Sequence, residues 1–230
     1  MKKITRNAAT LCEEILAEIL SQANPDAVAG MARFGINPER TFGVSIPALR
    51  KIAVRTGKNH ELAAALWRSG VHEARLLATM IEVPAELSAE QMDGWVADFN
   101  SWDVCDQCCN NLFRKSPVAH AKAVEWSSRQ EEFVKRAGFV MMACLAVHDK
   151  KASDEAFLGY LPFIARESVD ERNFVKKAVN WALRQIGKRN AALNRAALDA
   201  AEEIKVMDSK AARWIASDAI RELTRTKIRG

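Results

Sequence analysis

Apolar side chains recur three and four residues apart along almost the whole chain, and no sustained run alternates with the two-residue period of a strand. Such a pattern commits a chain to helices that bury one face against one another. Punctuation is sparse, with ten glycines and six prolines in 230 residues. The turn signals fall at short intervals, at Asn24-Pro25, Asn37-Pro38, Gly57, Gly70, Pro84, Gly94, Ser116-Pro117, Gly187 and Asn190. They predict an all-α chain of about a dozen helices, each of roughly 9 to 17 residues, joined by short loops. Ser88 and Gln91 make a capping box, Ser101 caps a helix, and Pro117 suits a first helical turn.

A degenerate repeat runs through these helices. HEARLLATMI around Arg75, FVKRAGFVMMACL around Arg136, FVKKAVNWALRQI around Lys177 and KAARWIASDAIREL around Arg213 each carry a basic residue entering an apolar helix. The last three are 41 and 36 residues apart. Those periods fit two-helix, HEAT-like units, each covering its neighbour's apolar face. The expectation is a curved α-solenoid, one domain over residues 1–230.

With 49% hydrophobic and 27% charged residues the chain is too apolar and too evenly charged for disorder. No apolar run reaches the ~20 residues that span a bilayer. The start has a basic head, but Glu13, Glu14 and Glu18 break the apolar run a signal peptide needs. Five cysteines, an odd number, exclude a complete intrachain disulfide framework. A reducing, cytoplasmic setting is expected, with a monomer as the simplest state.

Charge is distributed unevenly. The formal net charge of +5 divides into −3 over residues 1–110 and +8 over 111–230. Between Arg172 and Arg195 lie seven cations and no acid. Such a row is either a solvated helix face or a surface for a polyanion. Helical phase at about 100° per residue refines the choice. Val175, Ala178, Val179, Ala182, Leu183 and Ile186 form one core-facing stripe, and Lys177, Trp181, Arg184 and Lys188 form another nearly opposite. A tryptophan amid cations and turned from the core is either packed beneath their stems or offers a platform for a sugar or base.

SWDVCDQCCNNLF shows the same arrangement with acids. Val104, Cys105, Cys108, Cys109, Leu112 and Phe113 define its buried face, which leaves Trp102, Asp106 and Asn110 on a separate i, i+4, i+8 stripe. Asp103 sits in the first turn, where the helix dipole favours an acid, whereas Asp106 lies a turn beyond that benefit. The clustered cysteines read as packing residues: no second Cys or His pair follows at zinc spacing, so no metal is expected. No Gly-rich phosphate loop, nucleophile elbow or H-E-x-x-H is present, and no cofactor is expected.

Four segments in this order, FGINPERTFGVSIPALRKIA (34–53), W-D-x-x-D (102–106), VKRAGF (134–139) and KKAVNWALRQIGKR (176–189), resemble the DNA alkylation repair family of HEAT-like-repeat DNA glycosylases. The resemblance implies a solenoid that cradles duplex DNA and excises N3- or N7-alkylated purines. It implies Trp102 and Trp181 against the lesion's sugar, Asp106 as the carboxylate, and Arg136 beside the backbone. Arg136, on a helix apolar nearly all round, is equally consistent with an internal ion pair. Lys177, Arg184, Lys188 and Arg189 are the further DNA-binding candidates. The family also implies an N-terminal aromatic at the lesion, often tyrosine; the single tyrosine here is Tyr160, and no residue before Phe34 supplies one. The resemblance further implies that the base need not be buried in a pocket, as it is in most glycosylases. The alternative is a non-catalytic HEAT-like scaffold for structured DNA or a protein partner.

Overall fold

The computed structural model describes residues 7–225, so the basic start at Lys2, Lys3 and Arg6 lies outside the described residues. Fourteen α-helices and one 3-10 turn are found among them, and no strand. No described helix is long and apolar enough to cross a membrane. The chain divides into two compact units, residues 1–116 and 117–230, parted at the Ser116-Pro117 turn. With Arg114 and Lys115 in the first unit, the units carry net charges of −1 and +6.

The first unit holds α1 (Ala8–Ser21), α2 (Pro25–Arg33), α3 (Ile46–Thr56), α4 (His60–Arg68), α5 (His72–Ile81), α6 (Ala89–Ala97), α7 (Trp102–Asn111) and the 3-10 turn Phe113–Lys115. Helix α5 is its hub, because α1, α3, α4 and α7 all pack on it. Eight of its ten residues are buried, among them His72 and Glu73. Asn7, Asn24, Asn59 and Ser88 cap α1, α2, α4 and α6 by accepting from a backbone N–H. The capping box at Ser88 is half formed: its hydroxyl accepts from Gln91 N at 3.1 Å, but the Gln91 amide turns to Glu82 at 2.8 Å. Glu82 is fully buried and holds His60 Nδ1 at 2.8 Å as well, so its demand for donors outcompetes the box.

The second unit holds α8 (Ala119–Ser127), α9 (Glu132–His148), α10 (Asp154–Leu158), α11 (Leu161–Glu167), α12 (Asn173–Gly187), α13 (Ala191–Lys205) and α14 (Lys210–Leu223). Pro117 stands in the turn ahead of α8 rather than in its first turn. Helices α10 and α11, five and seven residues long, are shorter than the periodicity predicts. Pro162, which has no N–H to continue a ladder, starts a new helix there. Helix α9 is buried at every position from Val134 to Ala146, packed between α8 and α12. A helix apolar all round belongs at the centre of a helical stack, and α12 in turn packs on α13 and α14. All five cysteines are buried, and none forms a disulfide.

Gly138 sets the spacing of α8 and α9. A Cβ placed on it stands 2.4 Å from Ser127 N and 2.9 Å from Ala123 O, both backbone atoms of α8. Gly138→Ala therefore has to push two helix backbones apart. We expect a loss of about 1–3 kcal/mol, read as a lower urea midpoint with an unchanged slope.

Candidate functional site

In the first unit, helical phase places Trp102 and Asp106 as their spacing requires. Both are half-buried and both line a cavity of about 390 Å³ bounded by α2, the segment 36–46, α5 and α7. The Trp102 indole Nε1 donates to the Phe34 carbonyl at 3.0 Å, so the ring rather than its N–H is left to face a guest. Phe34, the C-terminal cap of α2, is 77% exposed. It was the first residue of the 34–53 segment and gave no sign in the sequence of lying beside Trp102, 68 residues later.

Asp103 lines the same cavity. Ser101 places its hydroxyl on the Asp103 carboxylate instead of capping α7, and His72 Nε2 lies 2.9 Å from the carboxylate's other oxygen. Burial raises the Asp103 pKa, but the His72 ring beside it and hydrogen bonds from Ser101 and the Val104 N–H outweigh that, and the net shift is downward. Asp103 is therefore an anion held within the fold, a fuller explanation than the helix dipole alone.

The cavity wall opposite α7 is backbone. The Glu73 carboxylate, with no exposure, accepts from Phe42 N at 3.0 Å, Gly43 N at 2.6 Å and Val44 N at 3.2 Å. Three consecutive N–H groups on one anion make a nest that fixes this loop. Gly43 has a φ of +78°, and a Cβ there stands 2.4 Å from Asn24 O; only glycine meets both conditions. The 34–53 segment thus carries a wall of the site, and Glu73 is the residue that sequence reasoning passed over. Its signal was there, because Glu73 shares the helical face of Leu76 and Leu77, where an acid needs buried donors.

In the second unit, α12 presents Trp181 half-buried and Lys177 exposed, with the apolar stripe from Val175 to Ile186 buried as predicted. The other cations have partners. Arg184 and Lys188 both pair with Glu222 of α14, and Arg184 Nε lies 3.7 Å from Asp218. Two bonds from the pair hold Glu222 below the ordinary carboxylate range against the opposing effect of burial. Arg189 points into the unit, donating to Ala146 O at 2.7 Å and Asp149 O at 2.9 Å, with its guanidinium 3.9 Å from the Phe157 ring centre. Arg136, 6% exposed, donates to Phe174 O at 2.6 Å at the start of α12. Its neighbour Lys135 pairs with Glu167 at 2.5 Å and Asp170 at 3.4 Å. A hollow of about 190 Å³ beside these groups is lined by Ala146, Val147, Lys150, Gln185, Lys188 and Arg189.

The structure thus brings Trp102 with Asp106 in one unit, and Arg184 with Lys188 in the other. Among the described residues no group of three His, Cys, Asp or Glu side chains gathers to hold a metal ion.

Helices packed in succession, with no strand among the described residues, make a HEAT-like-repeat fold. The family model of the DNA alkylation repair enzyme matches residues 15–223, and the chain belongs to that family. A solved structure described as a new family of proteins related to the HEAT-like repeat DNA glycosylases, with affinity for branched DNA structures, is similar in fold. It shares 20% identity and a TM-score of 0.76, covering 95% of this chain and 98% of its own. No curated protein matches.

Two outcomes test the first-unit geometry. Glu73→Gln keeps the side chain's size but removes one acceptor oxygen and turns an NH2 toward backbone donors, so stability falls by about 2–5 kcal/mol in urea unfolding. Asp103 has a depressed pKa, so its stabilisation is present above the reference value of 3.8 and is lost as pH falls through the lower folded value. Wild type is therefore more stable than Asp103→Asn near neutral pH, and the gap closes as the medium is acidified below that value.

Proposed function

We propose that this protein is a DNA glycosylase that removes positively charged N3- and N7-alkylated purines from duplex DNA, in base excision repair. The observation that carries the reading is Trp102 and Asp106, one helical turn apart, lining one cavity in a member of the DNA alkylation repair family. The reading takes residues 1–230 as one functional domain acting as a cytoplasmic monomer without metal or cofactor.

The chemistry suits so sparse a set of groups. Glycoside hydrolysis ordinarily needs two carboxyl groups, one of them an acid for the leaving group. An alkylated purine already carries positive charge and leaves as a neutral base, so no general acid is required. Asp106 stabilises the oxocarbenium character developing at C1′ and orients the attacking water. The face of Trp102 favours the same cation, and Trp181 offers an aromatic face to the DNA sugar amid the cations of its own unit. Lys177 meets phosphate directly. Arg184 and Lys188 exchange Glu222 for phosphate, and Arg136 and Arg189 support the backbone-facing surface from within α9 and the end of α12. Release of counterions by these groups makes binding fall with salt.

A second reading has its own observation. Arg184 and Lys188 are already paired with Glu222, which suits a scaffold that binds structured DNA without excising a base. One assay separates the two: release of N7-methylguanine and N3-methyladenine from alkylated duplex. We expect release by wild type and a fall of about 10²–10³-fold for Asp106→Asn with duplex affinity maintained. Salt-sensitive binding with no release by wild type would leave the scaffold, and equal release by the variant would discard Asp106 as the catalytic carboxylate.

A further inference from the structure

We propose that Trp214 of α14, with Lys176 of α12 against its ring, is a stacking site for an unpaired nucleobase, so that the second unit takes hold of a single-stranded stretch of DNA. The proposal rests on the DNA-directed part of the reading above and not on base excision. Neither helical phase nor the family resemblance assigns Trp214 a role.

The first argument is the order of contacts between α12 and α14. They recur one helical turn apart, between residues 38 positions apart in the chain. Asn180 donates to Asp218 at 2.7 Å, and Arg184 pairs with Glu222. One turn earlier Lys176 meets Trp214 instead of an acid, its ammonium 5.2 Å from the ring centre. The inner rungs close on carboxylates, whereas the first ends on an indole that is 42% exposed. Its N–H has no partner among the described residues. A tryptophan placed so belongs to neither the core nor a cap, and an exposed aromatic beside a cation is what a nucleobase stacks on.

The second argument is charge. Neither α12 nor α14 has an acid in its first turn, where the helix dipole favours one. Instead α14 opens on Lys210 and Arg213, and Lys176 and Lys177 follow the first turn of α12. Glu171 accepts from Ala211 N at 3.0 Å, and Asp208 lies 3.4 Å from Arg213. Lys177 and Lys210, however, have no acid partner among the described residues. Cations gathered at the positive ends of two neighbouring helices repel one another, and a phosphate relieves that repulsion.

The third argument is what can reach the ring. Inside a duplex both faces of a base are covered by its neighbours, so an indole gains a base face only at a gap, an end or another unpaired stretch. Stacking on an aromatic is worth about 5- to 150-fold per base, against about 2- to 5-fold for an exposed cation over a ring. The base therefore displaces the Lys176 ammonium, which swings on its flexible stem to the adjoining phosphate. Every base has such a face, so the site reads the absence of a partner strand and not the sequence.

The test uses the full chain and two fluorescein-labelled probes of one sequence, an intact duplex and the same duplex with a single-stranded gap of about five nucleotides. Wild type is expected to bind the gapped probe more tightly. Trp214→Ala, once shown to melt as wild type does, loses about 5- to 150-fold on the gapped probe and little on the intact one. Trp214→Phe keeps most of the preference, and Lys176→Gln lowers the salt dependence of gapped binding alone. A 5-bromodeoxyuridine in the gap is expected to photocross-link to the tryptic peptide 214–221 of wild type, which reads the contact without a variant. Equal affinity of wild type for the two probes overturns the proposal. So does cross-linking confined to other peptides, or a folded Trp214→Ala with an unchanged preference. A wild type that prefers the gapped probe through Trp214 but releases no N7-methylguanine from alkylated duplex keeps the stacking site and rejects the glycosylase.

Discussion

A single buried carboxylate organises the first unit. Glu73 has no exposure, and its charge is met by the backbone of residues 42–44 rather than by a cation. Burial of an unpaired anion is prohibitive, so the loop has to come to it. The loop held there supplies Gly43 and Val44 to the wall of the cavity that Trp102 and Asp106 line. His72, next to Glu73 on the same turn, does the corresponding work for Asp103. The start of α5 thus fixes both the 42–44 loop and Asp103.

The second unit solves a different problem, how to keep a basic helix from repelling itself. Its cations are shared among acids and carbonyls: Lys135 with Glu167 and Asp170, Arg184 and Lys188 with Glu222, Arg189 with the carbonyls at the end of α9. The half-exposed pairs of Arg184 and Lys188 contribute little to stability. They hold the Arg184 guanidinium and the Lys188 ammonium in place and leave them open to exchange with a stronger anion. The burial of Arg136 also explains why the VKRAGF segment reads so apolar around two charges. Its cations join α9 to the chain that follows rather than forming an exposed row.

Much of this was legible in the residue order. Helical phase separated Trp102 and Asp106 from the cysteine face and Trp181 from the Val175–Ile186 stripe, because 3.6 residues per turn is a property of the backbone alone. The partition of charge nearly matches the division at Ser116-Pro117. What phase did not show was pairing across sequence distance. Arg184 with Glu222 spans 38 residues, and Trp102 with Phe34 spans 68. Likewise the Ser101 hydroxyl was expected to accept from the helix N–H groups, yet it donates to Asp103 and makes no cap.

The sequence by itself determined that the chain is helical, that Trp102 and Trp181 stand apart from its core stripes, and that its basic residues concentrate late. Each of these follows from local periodicity and composition. Only the tertiary structure decided that Trp102 and Asp106 border a cavity, that Phe34 lies beside them, and which cations are engaged. A cavity is defined by what surrounds a space, and its walls come from segments up to 80 residues apart, Ala27 to Gln107. No local pattern can encode that, because the groups that close the wall meet only after the helices have packed.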